Sequence, residues 1–336
     1  MSDDLILLGH GSGGTLSHRL LDDLIVVTLS GCGPGEQNDA ALLAAGDTRL
    51  AFTTDGYVVD PPVFPGGTIG SLAVHGTVND LAMMGARPLW LSCALIIEEG
   101  FSRSQLEEIL IDMRRAADAA GVRIVTGDTK VVPRGKADRI FITTSGVGVL
   151  EHDLAIHGAN ARPGDKIILS GSMGDHGIAV MAAREGLAVD GLRSDSAPLW
   201  ELVEQMLDEA GAGIRVLRDP TRGGVATTLK EIALQSGVTF LLDEQQLPVN
   251  PQVRGVCGIL GLDPIYVANE GKLLAVVSPD GADGLLQRMQ RHPLGKQAAI
   301  IGTVEAGESG RVRMQTSVGG MRIVEMLAGE QLPRIC

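Results

Sequence analysis

Acidic residues at the expected ends of helices and strands are the first candidates for chemistry in this chain. They lie in the segments NDAA, TTDG, VNDLAMMGA, GDTK and RDPTRGG, and they are Asp39, Asp55, Asp80, Asp128 and Asp219. Because Mg²⁺ prefers carboxylate and phosphate oxygens, the set could hold a hard cation. Aspartate is also common at turns and helix starts, and that alternative accounts for any one of these residues taken alone.

Asp80 is harder to explain as a turn residue. It follows Asn79 inside a segment that is otherwise apolar and has helical spacing. An unpaired carboxylate in such a place costs free energy. We therefore expect either an internal hydrogen bond or a metal ion to compensate it.

Two glycine-rich segments could bind an anion. HGSGGT at 10–15 offers backbone N–H groups without side-chain obstruction, although no Walker A lysine follows it. An ordinary flexible terminus explains this segment equally well. TRGG at 221–224 places Arg222 beside glycines that begin a helix, which predicts an anion site or, alternatively, a turn with a solvent-facing arginine.

The chain ends in LPRIC, so that a nucleophilic side chain, Cys336, is the last residue. Its segment, GEQLPRIC, lacks periodicity and contains a proline, which predicts an exposed, mobile tail. The other cysteines are Cys32, Cys93 and Cys257. No two cysteines form a CxxC pair, so neither a disulfide framework nor a zinc site is indicated. A free thiol without a function is the alternative for Cys336.

Composition limits the kinds of partner. The chain has 336 residues, 44% of them hydrophobic, and a formal net charge of −13. This charge opposes binding to nucleic acid or to an anionic membrane. The first ten residues lack the basic start of a signal peptide, and the longest apolar run, PLWLSCALII, is ten residues. We predict a soluble, cytoplasmic protein whose partners are proteins or small molecules.

The order of strand-like and helix-like segments predicts two domains followed by a tail. The expected strands are 49–55, 88–97, 122–128, 139–150, 166–172, 238–243, 272–278 and 298–304. The expected helices are 66–86, 102–121, 175–185, 197–210, 223–236 and 282–291, with Ser102 as an N-cap. The predicted divisions are 1–152, 153–328 and a flexible tail at 329–336.

Taken in order, these segments resemble one superfamily. HGSGG, NDAA, TTDG, VNDLAMMGA, GDTK, DPTRGG and NEG are similar to the proteins that include aminoimidazole ribonucleotide synthetase, selenophosphate synthetase, thiamine-monophosphate kinase and the hydrogenase maturation family HypE. The similarity covers essentially the whole chain. The cysteine after Pro-Arg-Ile resembles the ending of the HypE family.

The resemblance implies a mixed α/β, two-domain fold of the aminoimidazole ribonucleotide synthetase type. In it, the N-terminal domain forms a β-barrel-like core of a homodimer, and an α+β C-terminal domain packs alongside. ATP is expected in the cleft between the domains.

The resemblance also implies site residues. Mg²⁺ ligation is expected at Asp39, Asp80 and Asp219. The residues expected to bind ATP or to lie near it are Gly11, Ser12, Gly13, Gly14, Asp55, Asn79, Gly127, Asp128, Thr129 and Arg222.

The implied reaction uses the thiol of Cys336 as a carrier. It receives a carbamoyl group from the carbamoyltransferase HypF, ATP phosphorylates the oxygen of the thiocarboxamide, and loss of phosphate and two protons leaves a thiocyanate. The cyano group then passes to iron on a HypC–HypD complex for [NiFe]-hydrogenase. Glu270 or Lys130 is expected to remove the protons, and a phosphate contact is the alternative role for Lys130.

Three other functions stay open on the sequence. A selenophosphate synthetase-like activity would need a reactive residue near the glycine loop, and HGSGGT has none. A thiamine-phosphate kinase would share the aspartates without needing Cys336. A non-enzymatic scaffold would only present Cys336 to a metallocentre assembly complex.

Overall fold

The computed structural model describes residues 5–30, 38–327 and 334–336. Cys32 and the first five residues of the predicted tail, 329–333, lie outside these ranges. The N-terminal half contains four helices and seven strands within the described residues. They are α1 Thr15–Leu20, α2 Val26–Ser30, β1 Ala41–Ala45, β2 Thr48–Tyr57, β3 Val63–Phe64, β4 Gly67–Thr68, α3 Ile69–Met83, β5 Arg87–Glu98, α4 Arg103–Ala119, β6 Arg123–Val132 and β7 Ile140–Val149.

The C-terminal half contains five helices and seven strands within the described residues. They are β8 Lys166–Leu169, α5 Asp175–Arg184, α6 Trp200–Ala210, β9 Ile214–Arg218, α7 Gly224–Ser236, β10 Thr239–Asp243, α8 Pro251–Leu260, β11 Leu274–Val277, α9 Ala282–Arg291, β12 Ala299–Glu305, β13 Arg311–Gln315 and β14 Met321–Ile323.

Each half is built on its own sheet. The first sheet has the order β1-β2-β7-β5-β6, and the second has the order β14-β13-β10-β12-β8-β11-β9. The strand pairs are antiparallel except β5 with β6 and β10 with β13. The parallel pair in the first sheet is possible because α4 makes the crossover between its strands. The fold is therefore the mixed α/β arrangement that the sequence predicted.

Helix α3 lies at the centre of the molecule. Nearly all of its residues, polar as well as apolar, are buried, as expected for a helix enclosed by other elements. Thr68 caps its first turn by accepting hydrogen bonds from the N–H groups of Gly70 and Ser71. The end of α3 reaches the C-terminal half, because Ala82 and Met83 pack in one cluster with residues of α6 and α9. The helix thus places Asp80 between the two sheets.

Most predicted elements are confirmed within a few residues, and the predicted N-cap Ser102 accepts the N–H of Gln105. Several short elements were missed, among them β9, which ends directly before Asp219. The sequence of β9, IRVLR, contains two charged residues and is only five residues long, so its pattern is weak. In the described part of the chain, we find no helix with the length and apolarity needed to cross a membrane.

The prediction of an exposed C-terminal segment is wrong for Ile335, which is 4% exposed and belongs to the apolar cluster of the N-terminal half. Cys336 packs against the same cluster. The error has a physical cause, because the apolar surface that covers Ile335 comes from residues far away in the sequence. The division of the chain into domains at 152 stays a proposal.

Candidate functional site

A cleft of about 850 Å³ lies between the two halves of the molecule. Residues from both halves line it, among them Asp39, Asp80 and Asp219 together with Glu270 and Cys336. The sequence predicted these five residues as parts of one site, and the structure brings them to one cavity.

Three carboxylates form a cluster in this cleft. Asp39 precedes β1, Asp80 lies on α3, and Asp219 directly follows β9. One oxygen of each lies within 4.8 Å of the others. The hydroxyl of Thr53 lies 2.7 Å from Asp80 Oδ2, which supplies the internal hydrogen bond expected for that residue.

The cluster is electrostatically strained. Burial, opposed by Arg218, raises the pKa of Asp39 to about 6. Burial and the neighbouring carboxylates raise the pKa values of Asp80 and Asp219 well above the ordinary range. In addition, Asp39 Oδ2 is buried without a hydrogen-bond partner. Three converging oxygens with a shortage of positive charge fit a hard divalent cation such as Mg²⁺.

Arg218 compensates part of this negative charge, and the sequence reasoning did not identify it. Its Nε lies 2.8 Å from Asp39 Oδ1, and its Nη2 lies 3.0 Å from Glu231 Oε2. His18 on α1 contacts the other oxygen of Glu231 at 2.8 Å. The only signal in the sequence was its position, because Arg218 directly precedes Asp219, a candidate metal ligand.

Asp55 lines the cleft beside the cluster. The hydroxyl of Tyr57 donates to Asp55 Oδ2 at 3.3 Å. Burial and the nearby carboxylates of Asp55 and Asp80 raise the pKa of Tyr57 well above its usual value, so this residue stays a neutral donor.

The glycine loop and Arg222 lie together at the mouth of the cleft, and their binding of an anion stays a prediction. Arg222 Nη1 donates to the carbonyl of Gly11 at 2.9 Å. Gly13 has a φ of 76°, and a Cβ there would lie 2.9 Å from Arg222 Cβ. Gly11 and Ser12 line a smaller adjoining cavity of about 180 Å³ that Arg222 and Cys336 also line.

Glu270 is 2% exposed, and its Oε1 has no hydrogen-bond partner. Burial, Asp219 and Asp195 raise its pKa well above the usual range. Burial and Glu270 raise the pKa of Cys336 to about 12, and Arg222 opposes this shift. The thiol of Cys336 therefore stays protonated at neutral pH, and the raised pKa of Glu270 favours the protonated form of its carboxyl group.

Two residues bond to the backbone of Glu270, and Lys272 pairs with one of them. Asp195 Oδ1 accepts the Glu270 N–H at 3.1 Å, and Asp195 Oδ2 lies 3.2 Å from Lys272 Nζ. The side-chain amide of Asn79 donates to the carbonyls of Glu270 and Ala197 and accepts the Leu199 N–H. Asn79 therefore lies behind the cleft and supports the loop of Glu270. Asp195 and Lys272 were missed because only the fold brings them together.

The GDTK segment is not brought to the cleft within one chain. Gly127, Asp128, Thr129 and Lys130 lie on the exposed strand β6, and among the described residues none of them lines either cavity. Lys130 Nζ lies 2.7 Å from Asp128 Oδ2 on the surface. The roles predicted for these four residues stay predictions.

The chain matches the family described as AIR synthase related protein, N-terminal domain, over residues 37–150, and its C-terminal domain over residues 162–315. It is 54% identical over 333 residues to "Carbamoyl dehydratase HypE" of Cupriavidus necator, which covers 98% of this chain and 94% of the relative.

Two solved structures are similar over nearly the whole chain. "Crystal structure of HypE-HypF complex" has a TM-score of 0.86 and 47% identity, covering 92% of this chain and 99% of the other. "Crystal Structure of Hydrogenase Maturation Protein HypE in complex with ATP" has a TM-score of 0.84 and 50% identity, covering 99% and 100%.

Proposed function

Because the chain belongs to the AIR synthase related proteins and, among them, to the carbamoyl dehydratase HypE family, we propose that it is an ATP-dependent carbamoyl dehydratase of hydrogenase maturation. The substrate is a thiocarboxamide carried on Cys336, and the product is a thiocyanate that supplies the cyanide ligand of [NiFe]-hydrogenase iron. One observation carries the proposal. Cys336 lies in the same cleft as the carboxylate cluster and Glu270.

The reaction balances as an ATP-driven loss of water from the thiocarboxamide. The amide oxygen attacks the γ-phosphorus and ADP leaves; the nitrogen then loses two protons, and the C–O bond breaks as phosphate departs. Mg²⁺ held by Asp39, Asp80 and Asp219 would neutralise phosphate charge when bound. Arg222 and the glycine loop, at the mouth of the cleft, are suited to orient an anion.

Glu270 is the residue best suited to remove the protons. It faces the cleft with an unpartnered carboxyl oxygen, and its raised pKa makes it a stronger base than an ordinary carboxylate once it is ionised. Arg222 acts in the opposite direction and favours ionisation of Glu270. Lys130 is the second candidate for the base, because it matches the other position proposed for proton removal in the family.

The thiol of Cys336 accepts its carbamoyl group outside the cleft in this proposal. A thiol with a pKa of about 12 is almost entirely protonated and is a poor nucleophile. In the solvated state, its pKa returns towards the ordinary range, where a carbamoyltransferase such as HypF can use it. A HypC–HypD complex is the proposed acceptor of the cyano group, and the cytoplasm is the proposed location.

A homodimer is the remaining partner that we propose. Strand β6 is an edge of the first sheet, and Ile124, Val125 and Val131 on it are 38%, 51% and 67% exposed. A second copy packed on this edge would cover these apolar side chains. Residues 127–130 lie on the same edge, so pairing of two copies could also bring these residues to a cleft.

Mass spectrometry of the C-terminal peptide tests the function. With HypF, carbamoyl phosphate and ATP, we expect the peptide to gain a carbamoyl group and then to lose one water. Cys336→Ala should bind ATP normally but form neither product, and Cys93→Ala is the matched control that should form both. A cyanated product from Cys336→Ala would contradict the proposal, and a carbamoylated peptide that never loses water with ATP would favour the scaffold alternative.

A further inference from the structure

The residues Arg334–Cys336 lie along the segment 58–60 in the manner of an added strand. The N–H of Val58 donates to the Cys336 carbonyl at 3.2 Å, and the N–H of Asp60 donates to the Arg334 carbonyl at 3.1 Å. Backbone bonds of this kind hold an extended peptide but do not distinguish one sequence from another. Any selectivity must come from side chains.

Helix α5 contributes two side chains that bind the same three residues. Arg184 Nη2 donates to the Arg334 carbonyl at 2.7 Å, and His176 Nε2 lies 2.9 Å from the Ile335 carbonyl. Arg184 also donates to the carbonyl of Asp60, from Nε at 2.9 Å and from Nη2 at 2.7 Å. A single guanidinium therefore joins the two segments, and each carbonyl of Arg334–Cys336 has a donor.

The orientation of His176 is fixed by its surroundings. Its Nδ1 lies 2.8 Å from Ser194 Oγ, and its ring meets Phe64 edge-on with a centroid distance of 5.4 Å. Burial lowers the pKa of His176, so the ring is neutral and carries one N–H. Because the Ile335 carbonyl can only accept, that proton lies on Nε2, and the Ser194 hydroxyl donates to Nδ1.

The side chains of Arg334 and Ile335 enter different surroundings. The Arg334 guanidinium pairs with Asp138 and lies 3.4 Å from Asp60 Oδ2. Ile335 is buried in the apolar cluster that contains Phe64. Arg334 has a φ of 57°, a conformation that a residue other than glycine adopts only when its contacts hold it there.

We propose that Arg184 and His176 are positioning residues that dock Arg334–Cys336 in the cleft, and that Asp60 and Asp138 make the dock selective for arginine at 334. This inference rests on the proposed function, since it states how the carrier thiol is presented to the groups that act on it. We call the set of Val58, Asp60, Asp138, His176 and Arg184 the tail dock. The tail dock contains neither a predicted metal ligand nor a predicted nucleotide contact.

Timed alkylation of unmodified protein tests the tail dock without any maturation partner. Iodoacetamide labels Cys336 in proportion to the fraction that leaves the cleft, and the C-terminal peptide reports that residue alone by mass spectrometry. For Arg184→Met, we expect labelling at least about 10-fold faster than in the unsubstituted chain, since two charge-assisted contacts are lost. Arg184→Lys should be intermediate, and Arg115→Met, on the exposed face of α4, should match the unsubstituted chain.

A second variant keeps the test informative if Arg184→Met does not fold. Arg334→Glu places a third carboxylate beside Asp60 and Asp138, so it should release Cys336 to the same extent, whereas Arg334→Lys should largely retain it. A peptide GEQLPRIS in excess should compete for the tail dock and speed labelling of the natural chain, and GEQLPEIS should not. Equal labelling rates for all of these proteins, with or without peptide, would overturn the proposal.

The effect on catalysis separates positioning from folding. Arg184→Met should bind Mg²⁺-ATP with unchanged affinity by calorimetry and should accept the carbamoyl group at least as fast as the natural chain. Dehydration should slow in proportion to the fall in the fraction of Cys336 that is docked. If Arg184→Met releases Cys336 but dehydrates at the natural rate, docking does not position the substrate. If no form of the chain dehydrates, the labelling result still decides whether the tail dock exists.

Discussion

The two ends of the cleft are built in opposite ways. At one end, Asp39, Asp80 and Asp219 converge, and a buried oxygen of Asp39 has no hydrogen-bond partner. At the other end, every carbonyl of Arg334–Cys336 has a donor. Among the described residues, the carboxylate end carries more negative than positive charge, whereas the tail dock is completed by the chain itself.

This difference indicates which parts of the site respond to ligands. A cluster of carboxylates that is short of positive charge gains stability when a cation arrives, so binding there is coupled to folding stability. The backbone oxygens of Arg334–Cys336 already have donors, so a ligand that displaces these residues can only remove hydrogen bonds. We therefore expect substitutions at the carboxylate end to alter metal dependence, and substitutions near the tail dock to alter the placement of the substrate.

Glu270→Gln gives the largest expected effect, because Glu270 is the proposed base and lines the same cleft as both ends. Carbamoyl transfer to Cys336 and binding of Mg²⁺-ATP should be unchanged, and dehydration should slow by roughly 10²–10⁴. Single-turnover dehydration, followed by mass spectrometry, measures this. A natural rate in Glu270→Gln would mean that another group is the base, and Lys130 is the next to test.

The pH dependence of the dehydration rate is a second test of Glu270 as the base. Burial raises the pKa of Glu270 well above its ordinary value, and the base must lose its proton before it can act. Dehydration should therefore increase with pH, with a midpoint above the range of an ordinary glutamate. This rising limb should be absent from Glu270→Gln. A rate that is already independent of pH at the low end of the profile would contradict the assignment.

Asp80→Asn should separate metal binding from stability. It removes one charge from the cluster while nearly conserving volume, so the affinity for Mg²⁺-ATP should fall by about 10- to 100-fold in calorimetry. Without divalent metal, the same change relieves repulsion and should raise Tm at pH 7 by about 2–6 °C. Asp208→Asn, on the exposed face of α6, is the control that should change neither quantity.

The sign of the pH effect on stability follows from the raised pKa values. A carboxyl group whose pKa is higher in the folded chain favours folding at low pH, and this contribution is lost as the pH rises through its folded-state pKa. For Asp39, the shift from 3.8 to about 6 corresponds to about 3 kcal/mol, lost between about pH 4 and pH 6. Metal-free Tm should fall over this range, and saturating Mg²⁺ should reduce the fall.

Asp195→Asn is expected to have the smallest effect. The amide oxygen can still accept the Glu270 N–H, but the charge that faces Lys272 is lost. Dehydration should slow by about 3- to 10-fold with unchanged binding of Mg²⁺-ATP, since only the position of Glu270 is disturbed. Asp195→Ala, which removes the acceptor as well, should be slower still. Equal rates for both variants and the natural chain would show that the backbone of Glu270 needs no such support.

The sequence predicted the elements whose patterns are local. Helix α4 has apolar spacing and a serine cap, and the strands around residues 49–55 and 139–150 are rich in β-branched residues, so both kinds were confirmed. The convergence of Asp39, Asp80 and Asp219 was predicted through resemblance rather than spacing. No local pattern relates residues so far apart in the chain.

The parts that were missed depend on contacts between distant segments. Arg218 pairs with Asp39, and Asp195 pairs with Lys272, yet neither pair is visible as a motif. Ile335 was expected to be exposed because its own segment has no periodicity, whereas its burial depends on a surface made by other parts of the fold. Burial and pKa are properties of the folded surroundings, and sequence patterns indicate them only where those surroundings are local.

The close contact between the glycine loop and Leu327 limits the distance over which Cys336, the proposed carrier, can move. The Leu327 carbonyl accepts the N–H of Thr15 at 3.0 Å, and a Cβ on Gly14 would lie 2.3 Å from the same oxygen. Leu327 lines the smaller cavity beside the cleft, and the nine residues that follow it span at most about 31 Å. Because this tether is short, the effective concentration of the Cys336 thiol in the cleft is on the order of millimolar. Loading of Cys336, rather than diffusion of a free substrate, would then govern how often the site turns over.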